Sequence, residues 1–150
     1  MSHTYVSCNI HCIFSTKGRR RVIVPDIRER LWAYMGGIAR QNETRALAIG
    51  GTEDHAHVLL SLPATMTISK AVQLIKGGSS KWIRETLPPP PDFEWQEGYG
   101  AFCEGIQSVA EVEEYIRRQY EHHKRRTFEE EFIAFLKAHN QPYDEKHVFG

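Results

Sequence analysis

The sequence predicts an α+β fold of the ferredoxin-like type, a split βαβ antiparallel sheet with helices on one face. The order of the predicted elements leads to this prediction. Segments with strand and helix character follow one another in the order β-α-β-β-α-β(β)-α-α, and a split βαβ arrangement is the simplest packing of that order. The chain has 150 residues, enough to bury one core, so residues 1–150 are predicted to form a single domain.

The first half of the chain contains three predicted strands and one helix. The β-branched and aromatic residues of TYVSCNIHCIFST (4–16) predict a strand that ends at a Lys17–Gly18 turn. Pro25 and Asp26 mark the start of a helix that continues to residue 42, because apolar residues then recur at a helical period. Residues 44–54 and 55–63 have the composition of two further strands.

The second half is predicted to be mainly helical. Thr67 or Ser69 is a candidate cap for a helix over 68–87, whose middle is weakened by Gly77 and Gly78. Four prolines (88–91) end this helix and predict a stiff polyproline connector. Strand material follows over 93–106, broken at Gly98, and then two helices over 109–126 and 128–140.

Composition excludes several classes of protein. The apolar and charged fractions, 41% and 25%, are ordinary for a folded domain. No apolar stretch approaches the roughly 20 residues that a membrane helix needs, and the first residues lack the pattern of a secretory signal. We therefore expect a cytoplasmic protein without membrane contact, whose three cysteines (Cys8, Cys12 and Cys103) are reduced, buried thiols.

Charge is balanced over the whole chain but uneven along it. Nineteen basic and nineteen acidic residues give a formal net charge of zero, which excludes a global basic field. Basic residues nevertheless cluster in TKGRRR (16–21), IKGGSSKW (75–82) and HHKRR (122–126). A polyanion would therefore be bound through local patches.

Two histidines lie one residue apart at the start of a predicted strand, in EDHAHVLLSLP (53–63). Alternate side chains of a strand share a face, so His55 and His57 project together and can reach one cation. By itself this spacing leaves open whether the histidines bind a metal or are structural. The Leu59–Leu60 continuation does not fit a metallo-β-lactamase-type site, and the chain is too short for an eight-stranded barrel.

The predicted helix over 109–126 presents a second group of polar side chains. Tyr115, Gln119 and His122 are spaced i, i+4 and i+7, so they form one stripe. Val112 and Ile116 lie on the neighbouring stripe and are its expected core contacts. A phenol, an amide and an imidazole in register beside basic residues indicate a face that meets a phosphate.

Taken together, these motifs resemble the single-tyrosine HUH transposases of small bacterial insertion sequences, and most closely the REP-associated tyrosine transposases. EDHAHVLLSLP and, further along, EYIRRQYEHHK (114–124) carry the resemblance, supported by FSTKGRR, IKGGSSKW, WQEGYGAF and the continuation HHKRRTFEEEF (122–132). It spans about residues 5–147. One departure is slight: the residue between the paired histidines is only Ala56, which is small but apolar.

The resemblance implies a function and a set of site residues. The chain would be a metal-dependent single-stranded DNA endonuclease and strand transferase that forms a 5′-phosphotyrosine intermediate at hairpin-flanked sites. Tyr115, on a C-terminal helix, would be the nucleophile. His55, His57 and Gln119 would bind Mg²⁺ or Mn²⁺, and His122 remains an alternative to Gln119. Members of this family act as homodimers in which the tyrosine helix of one subunit can complete the metal site of the other. A homodimer is therefore expected, and the sequence leaves assembly in cis or in trans open.

Basic residues on two segments are candidates for DNA contacts. They could hold the backbone or hairpin bases as a group, although any single one is more often a solvated surface residue. These candidates are Arg19, Arg20, Arg21, Lys76 and Lys81.

Two other functions remain open on the sequence. One is a non-catalytic single-strand-binding module with structural histidines, and the other is a metal-dependent phosphodiesterase that uses activated water. Within the transposase interpretation, a mobile-element enzyme and a host-retained REP-processing enzyme would share the same chemistry.

Overall fold

The computed structural model of the chain describes residues 3–87 and 92–149. Four strands form one antiparallel sheet in the order β2-β3-β1-β4. The strands are β1 (Asn9–Ser15), β2 (Arg45–Gly51), β3 (His55–Ser61) and β4 (Gly100–Glu104). In this order β3 separates β1 from β2, which is the split βαβ plan of a ferredoxin-like fold. The predicted fold class is confirmed.

Five α-helices complete the described structure. They are α1 (Pro25–Gln41), α2 (Ile68–Thr86), α3 (Val109–Arg117), α4 (Gln119–His122) and α5 (Phe128–Ala138). Pro25 occupies the first turn of α1, where its missing N–H costs nothing. The Thr67 side chain caps α2 by accepting from the Lys70 N–H, so Thr67 and not Ser69 is the cap. None of the helices in the described ranges has the length and apolar character needed to cross a bilayer.

Side-chain alternation in the two central strands divides the molecule into layers. One set of side chains packs against α1 and α2 in the larger core; from β1 and β3 this set is Ile10, Cys12, Phe14, Ala56, Val58 and Leu60. Between them, on the opposite face, lie His11, Ile13, His55 and His57. A smaller cluster of Ile13, Phe102, Phe128 and Phe132 attaches α5 to this second face.

Several predicted boundaries need correction. The first strand starts at Asn9 rather than at residue 4, and regular strand structure in 93–106 is limited to Gly100–Glu104, with Trp95 forming an isolated bridge to Thr16. The predicted polyproline connector (88–91) lies outside the described residues. All three cysteines are free thiols, but Cys12 alone is buried; Cys8 is half-buried and Cys103 is exposed.

The single helix predicted over 109–126 is wrong, because the chain bends at Arg118. Arg118 has φ −99° and ψ 20°, outside helical geometry, and separates α3 from the short α4. The bend coincides with burial of the next side chain: Gln119 is 1% exposed. Hydrogen bonds of its amide, described below, offset the cost of the bend.

The position of α3 depends on Gly50 in β2. Gly50 pairs with His57 across the sheet, and a Cβ at this position would lie 2.5 Å from the Ile116 carbonyl oxygen. Without a side chain there, α3 approaches the sheet closely, and Ile116 is 1% exposed beneath it. The close approach places the neighbouring Tyr115 above the paired histidines.

We expect Gly50→Ala to reduce the free energy of unfolding by about 1–3 kcal/mol, the cost of overpacking against backbone atoms that cannot rotate away. Urea denaturation followed by circular dichroism measures the change. Gly77→Ala is the matched control, because a Cβ at this exposed position of α2 meets nothing within 4 Å. That variant should be unchanged or more stable by up to about 1 kcal/mol. Equal stability of the two variants would contradict the role assigned to Gly50.

Candidate active site and metal centre

The paired histidines of β3 lie on the sheet face that the C-terminal helices cover. Both rings are fully buried at 0% exposure, and their centroids are 5.2 Å apart. They share this face because alternate residues of a strand do, while Ala56 between them faces the larger core. The two imidazoles predicted from the sequence therefore lie together, as expected.

Each ring is oriented through its Nδ1 atom. His55 Nδ1 lies 2.7 Å from Asp54 Oδ1, and because a carboxylate only accepts, the ring donates there. His57 Nδ1 lies 2.8 Å from His11 Nε2 on β1. Both Nε2 atoms consequently face the covering helices. Outer partners that orient imidazoles in this way are typical of metal-binding histidines.

Burial shifts the titration of these groups. Desolvation lowers the pKa of His11 to about 2. It also lowers the pKa of His57, although the nearby Glu131 acts in the opposite direction. For Asp54, burial alone would raise the pKa of the carboxyl, but the hydrogen bond and charge of His55 leave the pKa below its usual value. His11 and His57 are thus neutral near pH 7 and have a lone pair available.

Tyr115 lies on α3 directly above this face. Its ring centroid is 5.9 Å from that of His57, and its hydroxyl donates to Glu131 Oε2. Arg126 Nη2 donates to the phenol oxygen across 3.1 Å. Burial and the Glu131 carboxylate raise the pKa of Tyr115 to about 12, although Arg126 opposes the shift. The phenol is held protonated here, with a cationic group on its oxygen.

The bend at Arg118 brings Gln119 into the same site. Its Oε1 atom lies 2.9 Å from His55 Nε2, and its Nε2 atom donates to Glu131 Oε2 across 3.1 Å. The His122 ring instead stacks on the Tyr115 ring, with centroids 4.5 Å apart and an interplanar angle of 27°. Of these two alternatives, Gln119 is the one placed against the paired histidines.

Glu131 and His123 complete the site and were not anticipated from the sequence. Glu131 projects from α5 with 0% exposure, and its Oε1 atom lies 2.8 Å from His57 Nε2, 3.1 Å from His123 Nε2 and 3.6 Å from His55 Nε2. Burial alone would raise the pKa of the Glu131 carboxyl, but the three imidazoles outweigh it and hold the pKa far below its usual value. The carboxylate is therefore ionised.

A faint signal for Glu131 exists in the sequence. In FEEEFIAF (128–135) the three glutamates look alike, but only Glu131 falls on the helical stripe of Phe128, Phe132 and Phe135. A charged residue within an apolar stripe must be paired if the stripe is buried. The sequence does not show which of the adjacent residues His122 and His123 enters the site. The choice depends on the bend at Arg118, which changes the helical phase.

The donor set suits a divalent cation. Ligand atoms of His55, His57, His123 and Glu131 all lie within 4.8 Å of one another. Among the described residues, the buried His123 Nε2 forms no hydrogen bond of acceptable geometry, although Glu131 is close. Imidazole and carboxylate together fit first-row divalent ions such as Mn²⁺. The residues present thus fit a metal ion.

A charged groove of about 700 Å³ opens beside His123, and its lining includes four acidic residues, Glu53, Asp54, Glu129 and Glu130. Its cationic lining residues are Arg19, Arg21, Lys124, Arg125 and Arg126. Arg19 also forms an ion pair with Glu129 at 3.6 Å. Two separate sequence patches, 16–21 and 122–126, are therefore combined into one surface next to the site.

The other predicted DNA-binding residues lie elsewhere. A second groove lies between α2 and the loop before β4. Arg20 and Lys81 are exposed and line neither groove. Lys76 lines the second groove, but its ammonium donates to the carbonyl oxygens of Gln96 (2.6 Å) and Gly98 (2.8 Å). Burial lowers the pKa of Lys76 to about 8. In this arrangement Lys76 secures the loop before β4.

A ferredoxin-like sheet with paired histidines on a central strand, faced by a tyrosine and a glutamine from a C-terminal helix, defines a transposase of the single-tyrosine class. The chain belongs to the family described as "Transposase IS200 like", which matches residues 4–119. It is therefore an enzyme of DNA transposition. His123 and Glu131 lie beyond the matched residues.

Individual relatives agree with this assignment. The chain is 27% identical over 130 residues to the transposase for insertion sequence element IS200 of Salmonella typhimurium, covering 83% of this chain and 84% of the relative. A crystal structure of a candidate transposase from Deinococcus radiodurans R1 is similar with a TM-score of 0.61 and 25% identity, covering 79% and 96%. A REP-associated tyrosine transposase bound to a REP hairpin shares the fold, with a TM-score of 0.60, 15% identity and coverage of 82% and 73%.

We expect Asp54→Ala to reduce the free energy of unfolding by about 1–3 kcal/mol, because the buried His55 Nδ1–H loses its best acceptor. Asp144→Ala is the matched control: Asp144 pairs with His147 at the same 2.7 Å, but both side chains are exposed. Its effect should stay within about 0.5 kcal/mol. Thermal unfolding of both variants measures the difference, and equal losses would show that Asp54 does not orient His55.

Proposed function

We propose that this transposase cleaves and rejoins single-stranded DNA in a metal-dependent reaction with Tyr115 as the covalent nucleophile. One observation above all supports the proposal. A single chain brings the Tyr115 hydroxyl, the Nε2 atoms of His55 and His57, and the Gln119 amide to one buried site. Neither a binding module nor a water-activating phosphodiesterase requires a tyrosine at this place.

His55, His57 and Gln119 are the proposed metal ligands. When bound there, a divalent cation would polarise the scissile phosphate and offset the charge that builds on its oxygens. Imidazole-rich ligands favour Mn²⁺, whereas Mg²⁺ prefers oxygen donors. Gln119 is preferred to His122 as the third ligand because its oxygen already lies 2.9 Å from His55 Nε2.

The residues of the chain suggest how the reaction proceeds. The Tyr115 oxygen attacks the phosphorus, a tyrosine–phosphate bond forms and the bond from phosphorus to the 3′ oxygen breaks, which leaves a free 3′-OH. Arg126, on the phenol oxygen, would stabilise the tyrosine oxygen as its proton leaves. The covalent 5′-phosphotyrosine retains the phosphodiester energy, so the strand can be rejoined without another energy source.

The proposed substrate is a single strand that bears a hairpin. Basic side chains of the groove beside His123 would supply phosphate contacts, with Arg19 and Arg21 on its wall. Arg20 and Lys81 are exposed outside this groove and would contact other parts of the DNA, whereas Lys76 would first have to release the carbonyls of the loop before β4. A structural neighbour is bound to a REP hairpin, which favours hairpin DNA here and makes REP processing the second candidate function.

Three further features complete the proposal. Residues 1–150 form a single domain, and the enzyme acts in the cytoplasm, where its DNA substrate lies. We propose that the enzyme is a homodimer in which each active site is assembled from one chain. The contact of Tyr115 with groups of its own chain supports this assembly in cis.

We expect wild-type protein to form a covalent adduct with a single-stranded hairpin oligonucleotide, taken from the DNA flanking the gene, when Mn²⁺ or Mg²⁺ is present. Tyr115→Phe removes the attacking oxygen and His57→Ala removes a ligand, so both should abolish the adduct on a denaturing gel. Oligonucleotides labelled at either end identify which side of the break is attached to the protein.

Tyr34→Phe is the matched control for this experiment. Tyr34 is 42% exposed on α1, on the side of the sheet away from the paired histidines, and its ring stacks on Trp82. Its loss should leave adduct formation unchanged. Cleavage without an adduct that persists in Tyr115→Phe would instead establish the water-activating phosphodiesterase. DNA binding without cleavage in every variant would support the binding module.

Assembly in cis predicts the outcome of a mixing experiment. Tyr115→Phe retains the metal ligands and His57→Ala retains the nucleophile, so a mixed dimer can react only if Tyr115 serves the partner's metal site. We expect no adduct when the two variants are combined under conditions that allow subunit exchange. An adduct on the His57→Ala chain, identified by a size tag, would establish assembly in trans.

A further inference from the structure

We propose that the Glu131 carboxylate connects the metal centre to the nucleophile: Oε1 is an additional ligand of the divalent cation, while Oε2 holds the Tyr115 hydroxyl in position. This inference rests on the proposed function. It assigns a role to a residue that lies on α5, beyond the residues matched by the family (4–119).

The two oxygens of Glu131 face different groups. Oε1 faces the imidazoles, at 2.8 Å from His57 Nε2 and 3.1 Å from His123 Nε2. Oε2 accepts from the Tyr115 hydroxyl and from the Gln119 amide at 3.1 Å. One rigid carboxylate group thereby spans the candidate ligands and the attacking oxygen. Oε1 would hold the divalent cation, while Oε2 holds the phenol that attacks.

The charge balance around Glu131 also indicates a cation. The side chain is 0% exposed, and within the described parts of the chain its ion-pair partners are imidazoles only, with no Lys or Arg among them. Arg126 is directed to the Tyr115 oxygen instead. A buried carboxylate needs a positive partner, and a divalent ion held by Oε1 would supply one.

The position of Glu131 does not depend on the metal. A capping box formed by Thr127 and Glu130 starts α5, and the rings of Phe128 and Phe132 stack 5.5 Å apart in the smaller core. These contacts lie within the first two turns of the helix, on both sides of Glu131. The carboxylate is therefore presented to the site by packing that exists before any ion binds.

His123 is the second unassigned group at this point. Its ring centroid is 4.3 Å from that of His55, and its buried Nε2 forms no hydrogen bond among the described residues. This nitrogen lies 3.1 Å from Glu131 Oε1 without a hydrogen bond of acceptable geometry, and a divalent cation would supply the partner that it lacks. This observation supports Oε1 as a ligand without involving Tyr115.

The first test measures metal binding by the full chain without DNA. Isothermal titration with Mn²⁺ should give an affinity that falls at least tenfold in Glu131→Gln, which keeps the shape but removes the charge. Tyr115→Phe should bind Mn²⁺ within about twofold of wild type. Glu111→Gln, an exposed glutamate at the start of α3, is the matched control and should also be unchanged. Circular dichroism verifies that each variant is folded.

The second test separates positioning from metal binding. At Mn²⁺ concentrations that saturate Glu131→Gln, the rate of adduct formation should remain at least tenfold below that of wild type, because Tyr115 is no longer held by a carboxylate. Glu131→Asp keeps the charge but shortens the side chain. It should recover part of the metal affinity without recovering the rate, and it replaces Glu131→Gln if that variant does not fold.

The outcomes distinguish this inference from the proposed function. If wild type binds Mn²⁺ and forms the adduct, but Glu131→Gln matches it in affinity, Oε1 is not a ligand and the proposed function survives. If saturating Mn²⁺ restores the full rate in Glu131→Gln, the positioning role is overturned. If wild type forms an adduct without binding a metal, both the ligand role and the metal dependence are overturned.

Discussion

The pairing of β1 with β3 is the constraint on which the rest of the structure depends. Because the strands are central and both faces are covered, their register decides which side chains enter the larger core and which face the C-terminal helices. A slip of one residue would exchange the two sets. It would bury imidazoles among the apolar residues of α1 and α2, and direct Val58 at Tyr115.

The site is therefore a product of two different kinds of stabilisation. Backbone hydrogen bonds of the sheet fix the positions of the histidines. These bonds do not depend on which side chains form the site. The groups opposite them depend on close packing: α3 approaches over Gly50, and α5 is held by stacked phenylalanines. The polar contacts between the two layers then form between surfaces that are already in place, so little conformational entropy opposes them.

Much of this arrangement was predictable because its causes are local. Strand periodicity placed His55 and His57 on one face, and the order of the elements was sufficient for the ferredoxin-like sheet. The bend at Arg118 was not predictable, since local propensity favours one helix and only the buried hydrogen bonds of Gln119 oppose it. Glu131 has only a faint signal: it is the one of three consecutive glutamates on the apolar stripe of α5, and the stripe does not show which polar groups it will meet.

The span of chain that contributes to the site has a consequence for its formation during synthesis. His11 comes from the first strand and Glu131 from the last helix, and the carboxylate contacts both paired histidines and the tyrosine. A nascent chain leaving the ribosome exposes the imidazoles and the phenol before α5 has emerged. The complete constellation can form only after α5 has been synthesised, so translation itself delays the assembly of the site.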